Sequence, residues 1–159
     1  MKEKCTAIIL AAGQGRRMKS KVKKQFLSIA GKPIVYYALH CFEKAPFIQN
    51  ILLVTSEDCV EYCQKEIVDR YGFRKVGKVV VGGKERYDSV YAGLLACGET
   101  DYVYIHDGTR PFITRDILER ALDGARETGA CVVGMPSKDT VKILDKEQFV
   151  TKTPKRTHV

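Results

Sequence analysis

Apolar runs of strand length alternate with segments of helical period along most of the chain, and no other feature restricts its fold so tightly. The runs at residues 5–10, 50–55, 78–81, 102–105 and 130–135 predict strands, and the segments at 33–44, 58–71, 86–97 and 114–127 predict helices. In the first helical segment Ile34, Tyr37, Ala38, Cys41 and Phe42 recur at the three-to-four spacing of one buried face, and Pro33 suits its opening turn. The strands are continuous hydrophobic runs rather than alternating ones, as expected when helices cover both faces of a mainly parallel sheet.

The expected fold is therefore α/β, a Rossmann-like, three-layer, open and mainly parallel sheet occupying residues 1–136. After Pro136 the pattern changes, and residues 140–144 and 148–152 predict two short strands around a turn at 145–147. With no helix to pack on, this β-hairpin at 137–159 is expected to protrude as an arm. The sequence then stops without an element to cover the hairpin or the sheet edge, so a longer native chain is expected.

A chain of 159 residues with 45% hydrophobic and 29% charged content is ordinary for one folded domain. It has no apolar run near the roughly 20 residues of a membrane span and no signal-peptide core, which predicts a cytoplasmic protein without a membrane partner. The six cysteines are scattered without a CxxC pair and read as reduced, small core residues. Cys59 and Cys63 lie four apart on a predicted helix, yet no further pair or nearby histidine completes a metal site.

The formal charge of +8 is local in origin. Arg16, Arg17, Lys19, Lys21, Lys23, Lys24 and Lys32 form a stretch without one acid, and outside it bases and acids nearly balance. Such a concentration of potential suits an anion. It lacks the interleaved aromatics of a nucleic-acid surface, so no nucleic-acid partner is expected.

The stretch follows the first strand through Ala11-Ala12-Gly13-Gln14-Gly15-Arg16-Arg17. Small residues there let backbone N–H groups approach a phosphate chain, and the arginines add charge-assisted contacts. A dinucleotide fingerprint would need a third glycine where Met18 stands, and no GxxxxGK[ST] run occurs, which excludes the two commonest glycine-loop chemistries. A second cluster, Gly82-Gly83-Lys84-Glu85-Arg86-Tyr87-Asp88-Ser89, also ends a strand and opens a helix. Ligands in doubly wound sheets sit at the carboxyl ends of strands, so both turns are expected to line one crevice, with Ser89 near a base or ribose. As sequence alone, residues 84–89 equally read as a polar first helical turn. A third cluster, His106-Asp107-Gly108-Thr109-Arg110, makes Asp107 a candidate ligand for Mg²⁺, while His106 reads as a packed residue.

Taken in order, AAGQGRRM, KQF, GGKERYDSV, HDGTRPF and KDTVK resemble the 2-C-methyl-D-erythritol 4-phosphate cytidylyltransferases of the isoprenoid pathway, over nearly the whole chain. The resemblance implies transfer of CMP from CTP to methylerythritol phosphate with Mg²⁺, and a homodimer interlocked through the β-arm. It implies that Arg17 and Lys24 stabilise the transition state and that Ala11, Ala12, Gly13, Gly15, Gly83 and Ser89 line CTP. It further implies that Asp107, Gly108, Arg110 and Thr140 face the acceptor or metal, and that Arg156 holds the acceptor's phosphate. Lys23 stands where the family usually has proline, which leaves open which of Lys23 and Lys24 turns inward. A related family with a different acceptor, ribitol 5-phosphate, shares similar motifs, but KDTVK followed by TPKR fits the methylerythritol phosphate family better.

Overall fold

The computed structural model describes residues 3–13 and 22–158. Its centre is the strand β1 (Cys5–Ala11), whose seven residues are all buried. Parallel partners lie on both sides, β4 (Ile48–Thr55) on one and β6 (Tyr102–Asp107) on the other, and β5 (Val76–Val81) extends the sheet beyond β4. A short antiparallel pair, β2 (Ser28–Ile29) and β3 (Lys32–Pro33), lies between β1 and the first helix.

The helices α1 (Ile34–Lys44), α3 (Arg86–Ala96) and α4 (Arg115–Thr128) fall within two residues of the periodic segments. The segment predicted as a single helix at 58–71 is a composite: a 3₁₀ turn (Glu57–Cys59), one α turn named α2 (Val60–Tyr62) and a π-helical stretch (Cys63–Asp69). Helix α4 has both of its ends closed by local chemistry. Thr114 Oγ1 accepts from the Ile117 N–H, and Gly129, at φ 82°, donates its N–H to the Ala125 carbonyl.

Side chains from α1, the π-helical stretch and α4 build the larger core cluster on one face, around Ile9, Leu39, Phe42 and Leu53. On the other face, among the described helices, α3 packs on Ile8, Leu10, Leu52 and Val54. It lies very close there, since a Cβ on Gly93 would stand 2.6 Å from the Ile8 side chain. The three layers follow from this arrangement, as the unbroken apolar strands predict.

One expected strand does not form. Residues 130–135 join no ladder, with Val132 93% and Met135 80% exposed. Their β-branched composition favours a strand, but a strand exists only with a partner, and none pairs with these residues among those described. The cysteine reading needs a similar adjustment: all six are free thiols, but Cys131 is exposed and Cys41 and Cys97 are only partly buried. Beyond this segment β7 (Ile143–Leu144) and β8 (Val150–Lys152) form an antiparallel pair at the predicted hairpin, with every strand residue exposed. Among the described residues no helix is long and apolar enough to cross a membrane.

Candidate active site

The strand order β5-β4-β1-β6 places the site. The chain steps outward from β1 to β4 to β5, then crosses back to lay β6 on the far side of β1. At such a reversal the loops leaving neighbouring strands part in opposite directions and open a crevice at their carboxyl ends. Registers of Leu10 with Asp107, Ala11 with Thr55, and Thr55 with Val81 bring all four strand ends to one edge. A cavity of about 470 Å³ lies there, lined from every strand exit.

Several of the expected residues meet in this cavity. Ala11, Ala12 and Gly13 enter it from the end of β1, Gly83 from the β5–α3 turn, Ser89 from the first turn of α3, Asp107 from β6, and Lys24 from the 3₁₀ turn Lys24–Phe26. Gly15 and Arg17 lie outside the described residues. Gly108 is buried behind the site, where its N–H donates to the Leu10 carbonyl at 2.8 Å and a Cβ would crowd that carbonyl. Arg110 reaches Asp107 without lining the cavity. Thr140 and Arg156 do not line it either. Arg156 lies beside the hairpin, its Nη1 donating to the Lys138 carbonyl at 3.1 Å.

The two adjacent lysines face different neighbours. Lys23 Nζ donates to Ser56 Oγ at 2.8 Å and to both Asp58 oxygens at 2.8 and 2.6 Å, whereas Lys24 lines the cavity. The ammonium on Asp58, helped by Ser56, holds that carboxyl at about 2. Its pKa is thus depressed below the unfolded value near 4, so the pair adds stability above that value and loses it as pH falls through about 2. The gap in urea midpoint between wild type and Asp58→Asn is accordingly expected to shrink from neutral pH towards about pH 2. A gap independent of pH would show that the pair contributes nothing through charge.

The β5–α3 turn combines both of its sequence readings. Glu85 and Asp88 close a reciprocal capping box on α3, with Asp88 Oδ2 accepting from the Glu85 N–H at 3.0 Å. Glycine is required beside it for space: a Cβ on Gly82 would stand 2.7 Å from Ser89 Oγ and 2.9 Å from the Ala12 Cβ, and one on Gly83 2.2 Å from the Asp88 Cβ. Ser89, 4% exposed, rests its hydroxyl on the Glu85 carbonyl at 3.3 Å.

Asp107 is held by two guanidinium groups. Arg86 Nε donates to its Oδ1 at 3.1 Å and Arg110 Nε to its Oδ2 at 3.0 Å, while 27% of the side chain stays exposed. His106 is packed as expected, its ring 5.4 Å from that of Phe42 and its Nε2 donating to the Arg110 carbonyl. Loss of water lowers its pKa and favours the neutral imidazole.

Sequence reasoning missed Gln25, Ser56, Glu57, Lys84 and Arg86, all of which line the cavity. Arg86 and Lys84 lay within a quoted cluster without a role. Ser56 and Glu57 follow an apolar strand with no glycine, so nothing local marks them.

The profile of the 2-C-methyl-D-erythritol 4-phosphate cytidylyltransferase family matches residues 5–159. Enzymes of that name from Lachnospira eligens and Clostridium kluyveri are 44% and 49% identical over 95% and 92% of the chain. The chain spans 66% and 64% of the lengths of these two relatives. Among solved structures, 4-diphosphocytidyl-2C-methyl-D-erythritol synthase from Anaerococcus prevotii superposes with a TM-score of 0.84 at 31% identity, over 99% of this chain and 66% of that one. With the motifs in order along one chain and the same sheet beneath them, the protein belongs to the 2-C-methyl-D-erythritol 4-phosphate cytidylyltransferase family.

Proposed function

We propose that this protein transfers CMP from CTP to 2-C-methyl-D-erythritol 4-phosphate, releasing pyrophosphate. The observation that carries the reading is the convergence of Lys24, the two glycine turns and Asp107 on one crevice at the sheet's switch point. The absence of a long apolar helix among the described residues and the reliance on CTP support a cytoplasmic location.

The chemistry needs no general base. An acceptor phosphate, with a second pKa near 6, is mostly dianionic at neutral pH and already nucleophilic. One of its oxygens forms a bond to the α-phosphorus of CTP, and the bond from that phosphorus to the β-phosphate's bridging oxygen breaks. The electron pair leaves with pyrophosphate, and no proton is transferred. The barrier lies in bringing two anions together, so catalysis rests on positioning and on cations aimed at the crowded phosphorus. Lys24 supplies one such cation from the cavity wall, and Arg17 is proposed as the second.

Asp107 suits Mg²⁺, which in phosphoryl sites takes one or two carboxylates and completes its shell with substrate phosphates and water. Its partial exposure leaves an oxygen approachable once Arg86 or Arg110 gives way. Bound there, the ion would neutralise triphosphate charge. The guanidinium released from Asp107 would be free to meet a phosphate oxygen itself. Ala11, Ala12, Gly13, Gly83 and Ser89 line the nucleotide, with Gly15 proposed beside them, while Gly108, Arg110, Thr140 and Arg156 serve the acceptor side. The hairpin is proposed to cross to a second subunit, forming a homodimer.

Calorimetric titration with Mg²⁺ present tests the nucleotide. CTP is expected to bind at least about tenfold more tightly than ATP if, as proposed, close backbone contact around Ala12 and Gly82 reads the pyrimidine. Equal affinities would reduce the site to a generic nucleotide cradle. Pyrophosphate release with methylerythritol phosphate and with ribitol 5-phosphate, side by side, tests the acceptor; release with ribitol phosphate alone would overturn it.

A further inference from the structure

We propose that Gln25 is a positioning residue for this reaction, its side-chain amide locking the exit of β1 to the turn that presents Lys24. The inference rests on the cytidylyltransferase reading of the same cavity. Gln25 is 1% exposed, and an amide so buried must find partners within the protein. Its Nε2 donates to the Ala11 carbonyl at 2.6 Å and to the Gly13 carbonyl at 3.2 Å. Those two residues bracket the stretch that enters the cavity from β1.

Two consequences follow from this geometry. Carbonyl oxygens carry partial negative charge, so left free beside a triphosphate they would oppose it; the amide takes both and fixes the rotation of their peptide units. The second consequence concerns the turn itself. Lys23 is tied to Ser56 and Asp58 beyond β4, and Gln25 to the exit of β1, so the turn is fastened to two neighbouring strand ends. The 3₁₀ turn Lys24–Phe26 has three residues per revolution, which sets Lys24 about a third of a circle from Gln25. Glutamate cannot substitute: its carboxylate has no proton to donate and would add negative charge beside the phosphates.

The test uses protein made from its whole native reading frame. Wild type, Gln25→Glu and Gln25→Met are compared for kcat and KM between about pH 5.5 and 8.5, with thermal midpoints alongside. At the alkaline end Gln25→Glu is expected to lose about a hundredfold, mostly in kcat, because the effect is exerted through Lys24. Towards acid pH the deficit is expected to narrow to about tenfold as the buried carboxyl takes up a proton and regains a donor. Gln25→Met, similar in volume but without a donor, is expected to lose activity at every pH without narrowing.

The ionisable groups around the turn include Lys23, Lys24, Asp58 and Cys59, with Tyr62 against Phe26 and Glu57 on the cavity wall. All are common to the three proteins, so the ratio of variant to wild type at each pH isolates position 25. Should Gln25→Met fail to fold, the pH course of Gln25→Glu decides alone. A flat ratio in an active enzyme overturns this inference and leaves the functional reading standing. A wild type that releases no pyrophosphate removes both.

Discussion

Lys24→Ala is expected to lower kcat by about a hundredfold or more, the scale of losing one preorganised contact to the transition state. Lys24 lines the cavity, and in the proposed reaction its loss would leave developing charge at phosphorus without one counter-charge. Lys23→Ala is expected to cost less than about tenfold, because that ammonium is already engaged by Ser56 and Asp58 and acts on the turn only indirectly. Pyrophosphate release in steady state measures both variants, and circular dichroism with a thermal midpoint establishes that each is folded. If Lys23→Ala proved the more damaging, the turn would have to rotate on binding substrate, and the inward lysine would be the other one.

Arg156→Ala and Lys24→Ala, each nearly inactive alone, are expected to complement each other when mixed. Arg156 lies beyond β8 and outside the cavity, and its planar guanidinium is well shaped to grip a phosphate with two donors. If the hairpin crosses to a second subunit, a mixed dimer has one site that combines an intact Lys24 with the partner subunit's intact Arg156. Random exchange makes about half the dimers mixed, so activity should recover towards about a quarter of wild type. The measurement is made on the full native chain, with exchange confirmed by mass-tagged subunits. Confirmed exchange without recovery would mean that Arg156 serves its own subunit's site, and an active Arg156→Ala would mean that it serves none.

What could be read from the sequence was decided by range. Helices α1, α3 and α4 and the four strands of the main sheet follow from local period and apolar run length, which need no knowledge of a partner. The missing strand at 130–135 fails for the opposite reason. Its composition says strand, but whether Val132 and Val133 meet a neighbour depends on what lies beside β6, and no local pattern records that. The site divides in the same way. Glycine turns at strand ends announce themselves, so Ala12, Gly83 and Asp107 were legible. The choice between Lys23 and Lys24 rests on an aspartate 35 positions further along, and the clamp on Asp107 joins Arg86 across 21 positions. Gln25 stood in the KQF motif without a role, since an uncharged amide in a basic stretch looks like solvent-facing polarity until the fold buries it.

The close approach of α3 to β1 makes the width of the nucleotide cavity a property of a residue that never touches it. Gly93 lies one helical turn beyond Ser89, about 6 Å along the axis, and its bare Cα rests on Ile8. The helix behaves there like a beam on a low fulcrum. A side chain at position 93 would raise that support, and the tilt would carry Ser89 and Glu85 away from Gly82 and Ala12. The gap between Gly82 and Ala12 on one side and Ser89 on the other, where the proposed nucleotide would lie, is thus gauged from within the core. Substrate range in relatives with a bulkier residue at this point would widen through the packing of a helix, with every residue facing the nucleotide unchanged.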